Sequence, residues 1–201
     1  MNIAVVLKDY IFHHNFITML ELEENRLLIA DPFLKDEHFG RSVIYLCKHS
    51  EEGSFGFVLN KIFEQTLDEL FDGLEGYAIP VFIGGPVEPD TIHFLHQYPN
   101  QIKGSYPLNN GLCWGGDFDD VKKLILRNEY DSQKIKFFIG YSGWDASQLI
   151  TELKEKTWLI ADAPARIVFE MNTEHIWKES ILLLGKDYEM MANFPIDPQL
   201  N

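Results

Sequence analysis

The chain has 201 residues, 46% hydrophobic and 24% charged, which suits one globular core and excludes the intrinsically disordered class. Its 31 acidic against 17 basic residues leave a net charge of −14. That balance disfavours direct nucleic-acid binding, whose affinity rests on Lys and Arg neutralising phosphates.

In chain order, the apolar patch Ile3–Leu7 is too short for a signal-peptide core, has no basic lead and is followed by no small-residue cleavage site, so the chain reads as intracellular and soluble. No run approaches the roughly 18 apolar residues of a membrane span. Leu27–Ala30, Ser42–Cys47 and Phe55–Leu59 are rich in β-branched and aromatic residues and read as strands. Thr66 with Glu69 makes a capping box that opens a helix bearing Leu67, Leu70 and Phe71. Val81–Ile83 and Ile92–Leu95 read as strands, and Gly111–Trp114 as a short one closed by Gly115-Gly116. Asp117 caps a helix with Val121, Leu124 and Ile125 on one face. Ile135–Tyr141 is a strongly apolar strand, and Asp145 is placed to cap a helix carrying Leu149, Ile150 and Leu153. Thr157–Ala161 is a weaker strand. Thr173 opens the last helix, with Trp177, Ile181 and Leu184, and Gly185 stops it. Asn193–Asn201, with Pro195 and Pro198, reads as a tail. Strand pairs mixed with helices of about 10–14 residues, without regular alternation, predict an α+β fold in a single domain over 1–201.

Cys47 and Cys113 lie in no C-x-x-C pair and read as two reduced core thiols, which suits a cytoplasmic setting. Gly140-Tyr141-Ser142-Gly143-Trp144 sits between a strand and a helix, as a nucleophile elbow does, and Asp162 and His175 follow in hydrolase order. Two features count against it: Trp144 stands where the elbow needs a small residue, and the three polar residues fall too close together in sequence. Asp117, Asp119 and Asp120 crowd the helix start after Gly115-Gly116 and repel a phosphate there. Gly84-Gly85-Pro86 reads as a turn that permits the close approach of a ligand or partner. His93 and His96 form H-x-x-H, and Cys47 with His49 a further pair, but a spacing of three on a strand points the imidazoles to opposite faces. The sequence therefore calls for no metal, no cofactor and no catalytic set. The four tryptophans read as core anchors, Trp144 being the one expected to be partly exposed. Arg41 is expected to hold the Asp31 carboxylate or the Asp36/Glu37 loop, with anion recognition the alternative.

Taken together, several motifs form an ordered set: Leu28-Ile29-Ala30-Asp31-Pro32, Phe39-x-Arg41-Ser42-Val43, Cys47-x-His49-x-x-Glu52-Gly53, Gly56-x-Val58-x-Asn60 and Gly84-Gly85-Pro86-Val87. Leu95-His96, Gly115-Gly116-Asp117, Gly140-Tyr141-Ser142-Gly143-Trp144, Gln148-Leu149 with Glu152, Trp158 and Trp177 follow. The order resembles that of the AlgH/YqgE family over about residues 26–185. The resemblance implies a bent, barrel-like sheet with short helices packed outside, in a bacterial cytosolic protein, and implies no particular biochemical activity. Some members carry a transcriptional-regulator label, and for so acidic a chain that role implies contact with protein rather than DNA. The chain departs from the family in having Lys61-Ile62 where members often carry Arg-Pro, and Ser142 where many carry alanine. Met1–Leu20 lies outside the match, with Met19 an alternative start.

The functional expectation is a non-enzymatic binding or regulatory module acting through protein contacts. Its surface is expected to include Arg41, Asn60, Gly84, Gly85, Pro86, Tyr141, Gly143 and Trp144. The alternative is a small-molecule binder or hydrolase-type enzyme using Arg41, Tyr141 and Ser142.

Overall fold

The computed structural model describes residues 22–170 and 172–194, and among these described residues lie ten strands and five α-helices. The Met1–Leu20 extension and Pro195–Asn201 of the expected tail lie outside the described residues. The first half runs β1 (Arg26–Ala30), β2 (Val43–Ser50), β3 (Gly53–Val58), β4 (Ile62–Thr66), α1 (Leu67–Leu70), β5 (Pro80–Ile83) and β6 (Val87–His96). The second runs β7 (Tyr106–Pro107), β8 (Cys113–Trp114), α2 (Phe118–Leu126), β9 (Ile135–Asp145), α3 (Gln148–Lys154), β10 (Trp158–Asp162), α4 (Ala165–Val168) and α5 (Thr173–Leu182).

The strands lie in the order β10-β1-β2-β3-β9-β6-β8-β7, with β5 also beside β9 and β4 beside β5. All pairings are antiparallel except β5 with β9, where Val81–Ile83 face Phe137–Ile139. The result is a single-domain α+β fold, a curled half-barrel sheet with several short helices.

The curl turns on β9. Its first half pairs with β5 and β6, and its second half with β3, Gly53–Gly56 facing Asp145–Ser142. The exchange of partners falls at Gly140, whose φ of 66° glycine adopts without steric cost. A Cβ at Gly140 would lie 2.5 Å from the Gly85 carbonyl oxygen, so backbone passes directly against backbone.

The central strands are buried on both faces. Leu27, Ile29, Tyr45, Phe57, Phe82 and Phe138 share one core with Ile167 and Val168 of α4 and Ile176, Trp177 and Ile181 of α5. Leu28, Ala30, Ile44 and Val58 pack with Leu149 and Leu153 of α3 and with Trp144 and Trp158. In the other half, Val81, Phe94 and Phe137 meet Leu67 of α1 and Val121, Leu124 and Ile125 of α2. Each such side chain contributes about 1.5–3 kcal/mol on burial. The fold is secured by this packing, and Cys47 and Cys113 are buried and free.

Helix starts follow the expected chemistry in part. Asp117 Oδ1 accepts from the Asp119 N–H at 2.9 Å, and Glu69 Oε2 from the Thr66 N–H at 2.7 Å. The helix behind Thr66 is only four residues long, because Phe71 is extended and Gly73 and Gly76 turn the chain through positive φ. Asp145 does not cap α3; it is the last residue of β9, held by pairing with Gly53, and Ser147 takes the cap position. No helix among the described residues is long and apolar enough to cross a membrane.

Candidate functional site

The glycine motifs meet at the bend of β9. The Gly84 N–H donates to the Ile139 carbonyl at 2.8 Å, and the Gly84 carbonyl accepts from the Val58 N–H at 2.9 Å and from Ser142 Oγ at 3.0 Å. Gly85 packs so closely on Tyr141 and Ser142 that its hypothetical Cβ would lie 2.4 Å from their backbone atoms. The close approach expected of Gly84-Gly85-Pro86 to a ligand or partner is made instead to the chain's own backbone, with Pro86 exposed beyond it.

This contact overturns the nucleophile-elbow reading. Gly140–Trp144 does not turn into a helix; all five residues lie within β9. Ser142 is fully buried with its hydroxyl spent on Gly84. Asp162 pairs with Arg26, and His175 is exposed on α5.

Beside the bend, at the rim of the first core, lies a groove of about 610 Å³. Its aromatic wall is Phe55 of β3, Tyr141 of β9, His93 of β6 and Trp114 of β8. The Phe55 ring centroid lies 4.8 Å from Trp114 and 6.1 Å from Tyr141, and His93 lies 5.8 Å from Tyr141. All four are half-buried. The register explains the opening: Phe55 faces Gly143 across the β3–β9 pairing, and glycine leaves the space beside the Tyr141 ring unfilled. Lys48, Glu52, Glu88, Asp145 and Gln148 supply the polar rim. Burial lowers the His93 pKa, with the nearby Glu88 carboxylate acting in the opposite sense. His93 Nε2 and Trp114 Nε1 are buried polar atoms without a hydrogen-bond partner among the described residues.

Of the expected surface residues, Tyr141, Gly143 and Trp144 line this groove, and Gly84 and Gly85 pack behind it. Trp144 is buried at 7% exposure, not the exposed tryptophan of the four, because β9 carries its indole onto α3. Arg41 and Asn60 do not line the groove. Arg41 stands at φ 51° before β2, its guanidinium 4.3 Å from the centre of the Trp177 ring and Nη2 donating to the Phe194 carbonyl at 2.6 Å. Asn60 Nδ2 donates to the Arg41 carbonyl at 2.8 Å, and its Oδ1 accepts from the Val43 N–H at 2.9 Å. These contacts lock the start of β2 to the residues after β3. The Asp31 and Asp36 carboxylates accept from N–H groups of their own turns, those of Phe33, His38 and Phe39. The hydrolase-type grouping of Arg41, Tyr141 and Ser142 is thus divided between two places.

His93 and His96 have different surroundings, as their spacing predicts. His96 lies under Gly115 and Tyr98, bonding the Gly115 carbonyl at 3.0 Å through Nε2. No cluster of three or more His, Cys, Asp or Glu suited to a metal occurs among the described residues.

One polar clamp supports the groove from behind. Trp144 Nε1 and Trp158 Nε1 both donate to Glu152 Oε2, at 2.8 and 2.7 Å, while Gln148 Nε2 donates to Oε1 at 2.9 Å. Glu152→Ala leaves two indole N–H groups in an apolar core without their acceptor, each costing about 1–3 kcal/mol. We expect urea unfolding to show a loss of about 3 kcal/mol, and Glu152→Gln, which keeps a carbonyl oxygen, to lose less than half of that.

The half-barrel bent at a glycine crossing, with an aromatic groove beside the bend, defines an α+β domain class built around a surface recess. The chain belongs to the AlgH-like family (DUF179), whose model matches residues 27–189. A UPF0301 protein of Bacteroides thetaiotaomicron is 42% identical over 179 residues, covering 88% of this chain and 90% of that protein. Another, of Bacteroides fragilis, is 43% identical over 177 residues, covering 88% and 90%. Among solved structures, the AlgH protein from Pseudomonas aeruginosa superposes with a TM-score of 0.69 at 27% identity, covering 85% of this chain and 93% of that one. Protein DIP2367 from Corynebacterium diphtheriae gives 0.70 at 20% identity over 86% and 93%, a likeness of fold.

Proposed function

We propose that this protein is a non-enzymatic binding module, regulatory in role, that acts through protein contacts made at the groove of Phe55, Trp114 and Tyr141. The observation that carries this reading is the half-exposed ring cluster itself: tyrosine and tryptophan with both apolar body and polar tip are the side chains that dominate binding energy at protein interfaces. The polar groups that catalysis would need are already engaged in holding the fold, Ser142 on Gly84 and Arg41 on Trp177 and Phe194. A net charge of −14 favours a protein over a nucleic acid as partner. The setting that suits the reading is the cytoplasm, where the buried Cys47 and Cys113 stay reduced. A small-molecule reading keeps the groove, whose volume falls in the range of such sites, but without Arg41 and Ser142 as its grip.

Gly143 gives the cleanest test. The nearest atoms to a Cβ there belong to the Tyr141 ring and the Val87 side chain, at 3.2 and 3.7 Å, so Gly143→Val fills the groove without breaking the strand. A protein retained stoichiometrically from nuclease-treated host lysate by the wild type is expected to be lost on Gly143→Val. It is expected to be kept on Ile62→Ser, a change at an exposed residue of β4. Equal retention by all three contradicts the proposal.

A further inference from the structure

The groove combines aromatic walls with an acidic rim. Glu52, Glu88 and Asp145 are three carboxylates among its described lining residues, against the single amine of Lys48. Phe55, Trp114 and Tyr141 line the same groove, and an aromatic ring attracts a cation held over its face within about 6 Å of the centroid. An anionic ligand would meet the carboxylates as like charges, and a plainly apolar one would leave them unpaired.

One further observation favours a peptide over a lone small cation. β6 ends its pairing with β9 at Val87 facing Tyr141, so Gly143–Asp145 has β3 on one side and no strand on the other among the described residues. An extended segment can lie along such an edge.

Resting on the binding-module reading above, we infer that the groove takes an extended, positively charged segment of a partner protein. An arginine or lysine side chain seats among Phe55, Trp114 and Tyr141, with Glu52, Glu88 and Asp145 around it.

The test uses isotope-labelled full-length protein and a synthetic acetyl-Gly-Arg-Gly-Arg-Gly-amide peptide, followed by NMR and calorimetry. The arginine peptide is expected to shift the Gly143 amide and the Trp114 indole N–H. Its citrulline analogue, of the same shape without charge, is expected to bind at least about tenfold more weakly. Glu88→Gln with Asp145→Asn should weaken the arginine peptide by about tenfold, and Gly143→Val should abolish the shifts. Equal binding of the two peptides overturns the inference on charge and leaves the binding module standing. Equal binding of free arginine amide overturns the commitment to a peptide. Shifts that survive Gly143→Val show diffuse attraction to an acidic surface and overturn the site. Silence of both peptides at millimolar concentration also overturns the inference, whereas the binding module fails if the wild type captures no partner or if capture is indifferent to Gly143→Val.

Discussion

Gly84→Ala is expected to yield no stably folded protein, or one weakened by at least about 4 kcal/mol in urea unfolding. The added methyl would stand 2.2 Å from the Gly140 carbonyl oxygen and near 3 Å from Phe57 and Phe138. The oxygen belongs to backbone and cannot swing aside as a side-chain end can. Moving it displaces β9 at the bend where it leaves β5 and β6 for β3. The Gly84 carbonyl would also lose its two donors, Val58 N–H and Ser142 Oγ. Gly143→Ala is the control, since its nearest neighbours are side chains, and it should cost less than about 1 kcal/mol. A Gly84→Ala protein as stable as Gly143→Ala would mean that the crossing is looser than its geometry.

Lys136→Met is expected to stabilise the protein at neutral pH and to lose that advantage as the solution becomes alkaline. Lys136 lies in β9 at 1% exposure, Nζ 3.9 Å from the centre of the Phe82 ring and 2.5 Å from the Glu170 carbonyl oxygen. Burial holds its pKa down to about 7 against an ordinary 10.5, with the Glu170 carboxylate acting in the opposite sense. Between those two values the unfolded chain binds a proton that the folded chain does not. Wild-type stability from this group therefore rises with pH across that window, by up to about 1.4 kcal/mol per unit, and is flat below it. Near pH 7 the buried amine costs about 4 kcal/mol, of which methionine recovers about half, because the Glu170 carbonyl then loses its donor. Near pH 10 most of that penalty is gone, and the wild type should be the more stable by about 1 kcal/mol. The titrations of Tyr45 and Cys47, whose pKa values burial raises, are common to both proteins and cancel in the difference. Urea unfolding at several pH values reads the crossing directly, and a difference independent of pH would show that Lys136 is not protonated differently on folding.

Much of the fold was legible because its strongest strands are continuous apolar runs. Leu27–Ala30, Ser42–Cys47 and Ile135–Tyr141 all announce buried sheet, and the motif order through Trp177 announced the family. β4 escaped notice because Ile62–Thr66 is largely exposed and includes Glu64 and Gln65, with no apolar face to reveal it. The second half of β9 escaped because Gly140 and Gly143 read as loop punctuation. In the structure the first permits a bend within a strand, and the second leaves a gap opposite Phe55. That misreading also misplaced Trp144, expected to be partly exposed in a loop but turned onto α3 by the strand's alternation.

The groove was half visible. Tyr141, Gly143 and Trp144 were among the expected residues, but Phe55, His93 and Trp114 come from three other strands. Only the β3–β9 and β6–β9 registers bring them together. Arg41 and Asn60 carried the same signal of polar residues beside an apolar strand. Their role is to fasten β2 to its neighbours, a use of side-chain hydrogen bonds that sequence spacing does not separate from ligand binding.

The most direct measurement of the central claim is capture of a partner by tagged wild-type, Gly143→Val and Ile62→Ser proteins from nuclease-treated host lysate. All three should first be shown equally folded by circular dichroism and urea unfolding. A partner held by the wild type and Ile62→Ser but lost on Gly143→Val is the result predicted by a protein-binding groove. A partner held equally by all three, or none held by the wild type, would contradict it.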